Sequence, residues 1–166
     1  RHLIDQARSK EEKLYYLHRF LEHFRGTVFR QTMFAEFEKL IHAQVEKGEA
    51  LTPDWLEEEY YRLAQAYHGP GVGLDPELKA EWSRIPHFFY NFYVYKYATG
   101  FCAAVAFVQR FRQEGPAAVE AYLELLRSGG SDYPLALLAK AGVDLAQPRP
   151  IAEAMAMFQE LLTGFT

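Results

Sequence analysis

Apolar side chains recur at helical spacing along most of this chain. A Ser-x-x-Glu capping box at Ser9 and Glu12 is followed by an apolar stripe that ends at Phe24. A second stripe begins at Val28, and Gly26 lies between the two. A glycine at this place indicates a kink, a break or a close contact, and the pattern leaves these alternatives open. The two stripes predict two helices in the first part of the chain.

Prolines mark the starts of the later helices, because proline suits the first position of a helix and disrupts its interior. Such starts are predicted at Pro53, Pro76, Pro86, Pro116 and Pro134, and at Ile151 after two further prolines. Glycine-rich stretches at 69–73 and 128–133 are predicted loops. No segment shows the alternation of a strand over a useful length. The sequence therefore predicts an all-α fold of about seven or eight helices in a single region, 1–166.

The composition is that of an ordinary globular chain. Of the 166 residues, 49% are apolar and 24% are charged, and the net charge is −4. This charge argues against nucleic acid and against an anionic membrane surface as partners. No signal peptide is recognisable and no apolar run reaches the roughly 18 residues of a membrane span, so we expect a cytoplasmic setting. Because the first residues are helix-compatible and lack a methionine, we expect the chain to begin within a domain.

The segment from Arg84 to Arg110 is the most aromatic part of the chain. It carries a histidine, His87, among tyrosines and phenylalanines. The tyrosines are Tyr90, Tyr93, Tyr95 and Tyr97. Tyrosine is favoured where a ring is buried and its hydroxyl still finds a partner. After Gly100 the residues become small, which lets another element pack closely. We predict a buried helix from about Pro86 to Gln113 that carries polar groups in its N-terminal half.

On a helix of about 100° per residue, Tyr90 and Tyr97 point in one direction. His87 lies at the edge of that face, and Tyr95 points away from it. A histidine and two phenol hydroxyls on one surface could hold a carbonyl oxygen or stabilise an oxyanion. The alternative is aromatic packing in which each hydroxyl binds a backbone carbonyl. The spacing alone leaves both interpretations open.

Other catalytic and metal-binding motifs are missing from the sequence. None of the six histidines forms His-Glu-x-x-His, and His18 and His23 lie about 140° apart on a helix, which makes them poor co-ligands. There is no Gly-x-Ser-x-Gly, and the loop at 69–73 lacks the Lys-Ser/Thr pair of a phosphate-binding loop. Cys102 has no base nearby and lies among alanines, which predicts a small buried residue rather than a nucleophile. The sequence predicts no metal site among its own residues.

Several stretches resemble the C-terminal region of oligoendopeptidase F, a bacterial zinc oligopeptidase of the thimet oligopeptidase superfamily. They are FRGTVFRQTMFAEFE at 24–38, RIPHFFYNFYVYKYATG at 84–100, GGSDYP at 129–134 and KAGVDL at 140–145. The resemblance covers essentially the whole chain. It implies a largely helical, elongated catalytic domain around a deep channel. It also implies a zinc ion held by a His-Glu-x-x-His helix and a glutamate, which this chain lacks, so the chain would form the side of the channel facing the zinc helix.

The resemblance also implies roles for individual residues. In such peptidases a histidine and tyrosines near the zinc contact the substrate and stabilise the scissile carbonyl. By motif position these are His87, Tyr90 and Tyr97, with Tyr93 as a further substrate-binding candidate. His87 and Tyr97 are the expected catalytic residues. Whether Tyr90 or Tyr93 fills the second tyrosine position is left open.

Two functional hypotheses follow from these observations. The first is the C-terminal part of a zinc metalloendopeptidase that hydrolyses short peptides, a part expected to be inactive alone. Its partners would be short peptides and the N-terminal remainder of the peptidase. The second is a non-catalytic helical module that binds peptides or a partner protein. Under the first hypothesis the isolated chain exposes apolar surface, so self-association is expected.

Overall fold

The fold is helical over residues 2–164, the part of the chain that the computed structural model describes. The α-helices in this part are α1 (His2–Asp5), α2 (Lys10–Phe24), α3 (Arg30–Glu46), α4 (Pro53–His68), α5 (Tyr95–Glu114), α6 (Pro116–Ser128), α7 (Pro134–Lys140) and α8 (Arg149–Thr163). A π-helix covers Arg25–Phe29, and 3-10 helices cover Pro76–Arg84 and Pro86–Phe89. No strand occurs between residues 2 and 164. The predicted all-α class is confirmed. Each helix in this part is too short or too polar to cross a bilayer.

The described residues form two compact units. One unit contains the residues up to Phe24 together with those from Thr99 onward. The other unit is Arg25–Ala98, and it contains His87 and the tyrosines of the aromatic segment. The candidate site therefore lies within a single unit.

The core of the site-bearing unit lies between α3 and α4. Phe37 of α3 and Tyr60 of α4 are fully buried, and their ring centroids lie 5.2 Å apart in an edge-to-face arrangement. Helix α4 begins where the sequence predicts it. The Thr52 hydroxyl accepts a hydrogen bond from the amide three residues further on, and Pro53 occupies the first helical position.

Phe88 and Val94 fix the aromatic segment to this core. Val94 is fully buried. The ring of Phe88 lies 5.3 Å from that of Phe37 and 5.5 Å from that of Phe34. The side chains of residues 89–93, between these two anchors, are exposed. The segment is thus held at both ends and open in its middle.

The other unit has apolar clusters of its own. Leu17 and Leu21 of α2 are buried together with Leu161 of α8. The Phe24 ring lies 5.1 Å from the ring of Phe101. Cys102 is buried, which confirms the prediction of a small interior residue. This burial raises the pKa of its thiol.

Gly26 lies within the π-helix Arg25–Phe29, which follows α2 and precedes α3 without an intervening loop. A Cβ added at Gly26 would meet nothing within 4 Å, so no close contact requires a glycine there. The structure therefore shows neither a break nor a close contact at Gly26, but a widened helical turn that the sequence did not predict.

The predicted helix from Pro86 to Gln113 is wrong in its first part. A 3-10 helix covers Pro86–Phe89, and α5 begins only at Tyr95. Between them Phe92 has a φ of 53°, in the left-handed region, which interrupts a right-handed helix. The predicted burial is wrong as well, because the side chains of residues 89–93 are exposed. The chain between Phe89 and Tyr95 is thus a loop with exposed side chains at 89–93, and it leads into α5.

Candidate active site

A series of tight turns carries the chain from His87 to Tyr97. The amides of Tyr90 and Tyr93 donate to the carbonyls three residues before them, both at 3.0 Å. The amide of Tyr97 donates to the carbonyl of Val94 at 3.3 Å. A chain in tight turns covers less distance per residue than an extended chain does. Side chains that are ten positions apart in the sequence can therefore meet.

The His87 ring and the Tyr97 hydroxyl are in contact. Nε2 of His87 lies 3.1 Å from Oη of Tyr97, and the two rings are perpendicular. The direction of this hydrogen bond depends on the imidazole tautomer. With the proton on Nε2, His87 donates to the tyrosine oxygen and leaves the phenol O–H available to a ligand. With the proton on Nδ1, the Tyr97 hydroxyl donates to Nε2.

Tyr93 extends this pair into a cluster. Its ring stacks on that of His87 with centroids 5.8 Å apart and meets that of Tyr97 edge-on at 5.7 Å. The Lys96 ammonium lies 5.0 Å from the Tyr93 ring centroid, a cation–π contact. Tyr90 reaches the cluster through the ring of Tyr93, at 6.3 Å. The structure thus brings His87, Tyr93 and Tyr97 together, with Tyr90 at the edge.

The Tyr97 phenol keeps its proton at neutral pH. Hydrogen bonding with the Tyr93 hydroxyl raises the pKa of Tyr97 above its ordinary value of 10.0, and desolvation acts in the same direction. A neutral phenol is a hydrogen-bond donor, whereas a phenolate is not. The Tyr97 hydroxyl therefore remains able to donate a hydrogen bond throughout the neutral range.

The predicted common face of Tyr90 and Tyr97 is wrong, because the two residues do not lie on one helix. The expected meeting of His87 with Tyr97 is present, but it arises from turns rather than from helical spacing. The catalytic and substrate-binding roles of these residues stay predictions.

Glu38 is a neighbour of the site that the sequence pattern did not single out. Its side chain is buried, and its Oε1 accepts a hydrogen bond from the Phe92 amide at 2.7 Å. The ring of His42, one turn further along α3, lies 4.3 Å from the Phe92 ring. A signal was available, because Glu38 follows Phe34 by four positions and so shares the buried face of α3. A carboxylate on that face requires a partner.

Glu81 is a second buried carboxylate, in the segment that precedes the site. It accepts hydrogen bonds from the Tyr60 hydroxyl at 2.6 Å and from the guanidinium groups of Arg30 and Arg84 at 2.5 Å each. Burial alone would raise the pKa of the Glu81 carboxyl. The hydrogen bond from Tyr60 and the two positive charges outweigh this effect, and the pKa lies below its ordinary value.

Metal-ligating side chains do not cluster within residues 2–164, where no group of three or more His, Cys, Asp or Glu is placed to hold an ion. The histidines with assigned contacts have other partners. His68 Nδ1 lies 2.8 Å from the Ala64 carbonyl oxygen, and His42 packs on Phe92. The described residues therefore do not fit a zinc site.

The helical fold and the sequence together define the class of protein. The model of Peptidase family M3 matches residues 1–157, and this chain belongs to that family. It is 51% identical over 161 residues to oligopeptidase PepF of Bacillus subtilis (strain 168), covering 97% of this chain and 24% of that protein. It is 41% identical over 160 residues to group B oligopeptidase PepB of Streptococcus agalactiae serotype III (strain NEM316), covering 96% and 27%.

A solved structure supports the same assignment. The crystal structure of oligoendopeptidase-F from Enterococcus faecium matches with a TM-score of 0.94 at 46% identity, over 99% of this chain and 32% of that chain. The resemblance to oligoendopeptidase F is thereby confirmed. The chain spans about a quarter of the length of the relatives named above.

Proposed function

We propose that this chain is the C-terminal part of a zinc metalloendopeptidase that hydrolyses short peptides. In this proposal the chain supplies substrate-binding and oxyanion-stabilising groups to the channel. The observation that carries the proposal is the 3.1 Å contact between His87 Nε2 and Tyr97 Oη in a chain of Peptidase family M3. The relatives are named oligopeptidases and oligoendopeptidases, which favours short peptides as substrates.

The chemistry assigned to these residues is charge stabilisation. A peptide carbonyl oxygen gains negative charge when its carbon becomes tetrahedral, and donors aimed at that charge lower the barrier. Tyr97 donates a hydrogen bond through its phenol O–H, which stays protonated because the pKa of Tyr97 is raised. His87 orients that hydroxyl or donates its own N–H. The exposed rings of Tyr90 and Tyr93 bind the substrate beside this pair.

The remainder of the peptidase is the proposed partner, and the proposal assigns the zinc ligands to it. Zinc held there would polarise the scissile carbonyl and activate water, whereas the described residues of this chain do not fit a metal site. A cytoplasmic location stays a prediction.

The test is Tyr97→Phe in the complete enzyme. Removing one oxyanion donor costs about 10²- to 10³-fold in kcat, with a smaller change in KM. Tyr95→Phe is the matched control, because it makes the same chemical change two positions away, at a tyrosine outside the proposed site. If Tyr97→Phe kept kcat on a short peptide within about twofold of wild type, the assigned role would be wrong.

A non-catalytic peptide- or partner-binding module is the alternative, and the exposed rings of Tyr90 and Tyr93 favour it, because exposed aromatic side chains can bind a partner without catalysis. The two proposals differ in one measurement. The complete gene product should cleave a short peptide in a chelator-sensitive reaction under the first, and should bind without cleavage under the second. The isolated chain should show no such turnover under either. Chelator-sensitive cleavage by the 166 residues alone would contradict both.

A further inference from the structure

We infer that Glu38 is a positioning residue for the His87–Tyr97 pair. Its buried carboxylate holds the loop between the two donors in the conformation that lets them meet. This inference rests on the proposed function, because it assigns to Glu38 a role in the same reaction. Glu38 lies on α3 and would act only through the loop, without touching the substrate.

The loop contains a residue that must be held in place. Phe92 has a φ of 53°, a left-handed conformation that a residue with a Cβ adopts only at a free-energy cost. The neighbouring turns use the amides of Tyr90, Tyr93 and Tyr97, which donate to backbone carbonyls within the loop. The Phe92 amide instead donates out of the loop, to Glu38 Oε1 at 2.7 Å.

Helix α3 holds Phe92 by two contacts from one face. The carboxylate of Glu38 binds the backbone, and a hydrogen bond to a charged acceptor is stronger than one between neutral groups. The ring of His42, four positions on, packs against the Phe92 ring at 4.3 Å. Phe37, next to Glu38, is fully buried, so the helix that presents the carboxylate is itself packed into the core.

The geometry of the donor pair depends on the middle of the loop. Phe88 and Val94 fix its two ends in the core, whereas the side chains between them are exposed. Loss of the Glu38 contact would let Phe92 relax toward an ordinary φ. The chain direction would then change between His87 and Tyr97. A displacement of about 1 Å in a catalytic group can cost about 10²-fold in rate.

Three substitutions separate positioning from a general need for a buried carboxylate. Glu38→Ala removes the acceptor. Glu38→Gln keeps an oxygen acceptor at the same reach and removes the charge. Glu38→Asp keeps the charge but shortens the side chain by one methylene group, which withdraws the carboxylate from the Phe92 amide. Glu36→Ala is the control on the same helix, because Glu36 is exposed and accepts from the Tyr67 hydroxyl rather than from the loop.

The experiment measures kcat and KM on a short peptide in the complete, metal-loaded enzyme, together with amide hydrogen exchange across residues 89–94. We expect Glu38→Ala and Glu38→Asp to lower kcat roughly 10- to 100-fold, with KM within about threefold. Both should speed exchange in this segment. Glu38→Gln should keep kcat within about threefold of wild type. Glu36→Ala should match wild type both in its kinetic constants and in hydrogen exchange.

The outcomes distinguish this inference from the proposed function. If Tyr97→Phe lowers kcat but folded Glu38→Ala and Glu38→Asp do not, the positioning role is wrong and the proposed function stands. If Glu38→Gln is as slow as Glu38→Ala, the acceptor role is wrong. If Tyr97→Phe has no effect on kcat, both proposals fail. Should Glu38→Ala not fold, Glu38→Asp and the exchange measurement decide the question in the same way.

Discussion

The buried Glu81 carboxylate gives a stability prediction that can be worked from its contacts. The side chain is 8% exposed and accepts hydrogen bonds from Tyr60, Arg30 and Arg84. Glu81→Gln keeps the shape of the side chain and removes its charge. The two arginines can turn toward water when the charge is lost, but the Tyr60 side chain is fully buried and cannot. The Tyr60 hydroxyl therefore cannot replace a weakened hydrogen bond with one to water, whereas the two arginines can.

The expected size follows from the exposure of each partner. Arg30 and Arg84 are 37% and 72% exposed, so each ion pair contributes at most about 1 kcal/mol. A buried hydrogen bond to a charged acceptor contributes about 1.5–3 kcal/mol, and the glutamine oxygen retains part of it. We expect Glu81→Gln to lower the free energy of unfolding by about 2 kcal/mol. Glu81→Ala also leaves the Tyr60 hydroxyl without its acceptor and should cost about 3–5 kcal/mol.

The pH dependence has a definite sign. The pKa of Glu81 is lowered in the folded chain, so the unfolded chain binds a proton more readily than the folded chain does. Stability from this group is therefore present above the carboxyl's ordinary pKa of 4.5 and is lost as the pH falls through the lower folded value. The difference in free energy of unfolding between wild type and Glu81→Gln should be largest at neutral pH and should decrease in acid.

Urea unfolding of the 166-residue chain at several pH values measures this difference. Glu120→Gln is the matched control, because Glu120 is exposed and pairs with an exposed arginine, Arg127. It should change the free energy of unfolding by less than about 1 kcal/mol. A Glu81→Gln effect below about 0.5 kcal/mol at neutral pH, or one that grows toward acid, would refute the reasoning about this network.

Two further predictions concern the other unit. Gly142 has a φ of 87°, and a Cβ there would overlap the Arg110 guanidinium, which donates to the Ala141 carbonyl. In urea unfolding, Gly142→Ala should therefore lower the free energy of unfolding by about 1 kcal/mol more than Gly129→Ala does. Gly129 is the control, because its φ of 52° is also positive but a Cβ there meets nothing within 4 Å. Equal losses in the two variants would contradict this. Cys102 is buried with a raised thiol pKa, so a thiol reagent at neutral pH should label the folded chain at least about tenfold more slowly than the urea-unfolded chain, and equal rates would refute it.

Local signals in the sequence predicted the helices well. Helices α4, α6 and α7 begin at Pro53, Pro116 and Pro134, as the sequence predicts. A proline that starts a helix affects only the first turn, so the signal can be read from neighbouring residues alone. The partners of the two buried carboxylates could not be found in this way. Glu38 binds an amide 54 positions away, and Glu81 binds Arg30 at a separation of 51. No local pattern determines which distant groups the packing of α3 and α4 will bring together.

The contact between His87 and Tyr97 arises from a geometry different from the helical face that the sequence predicted. On a continuous helix, residues ten positions apart are separated by about 15 Å along the axis, too far for a hydrogen bond. The observed distance is 3.1 Å because tight turns and a left-handed Phe92 replace the helix. A continuous helix through residues 90–94 would therefore separate the two side chains, whatever its effect on stability. The candidate site depends on the non-helical conformation of this loop as much as on the identity of its residues.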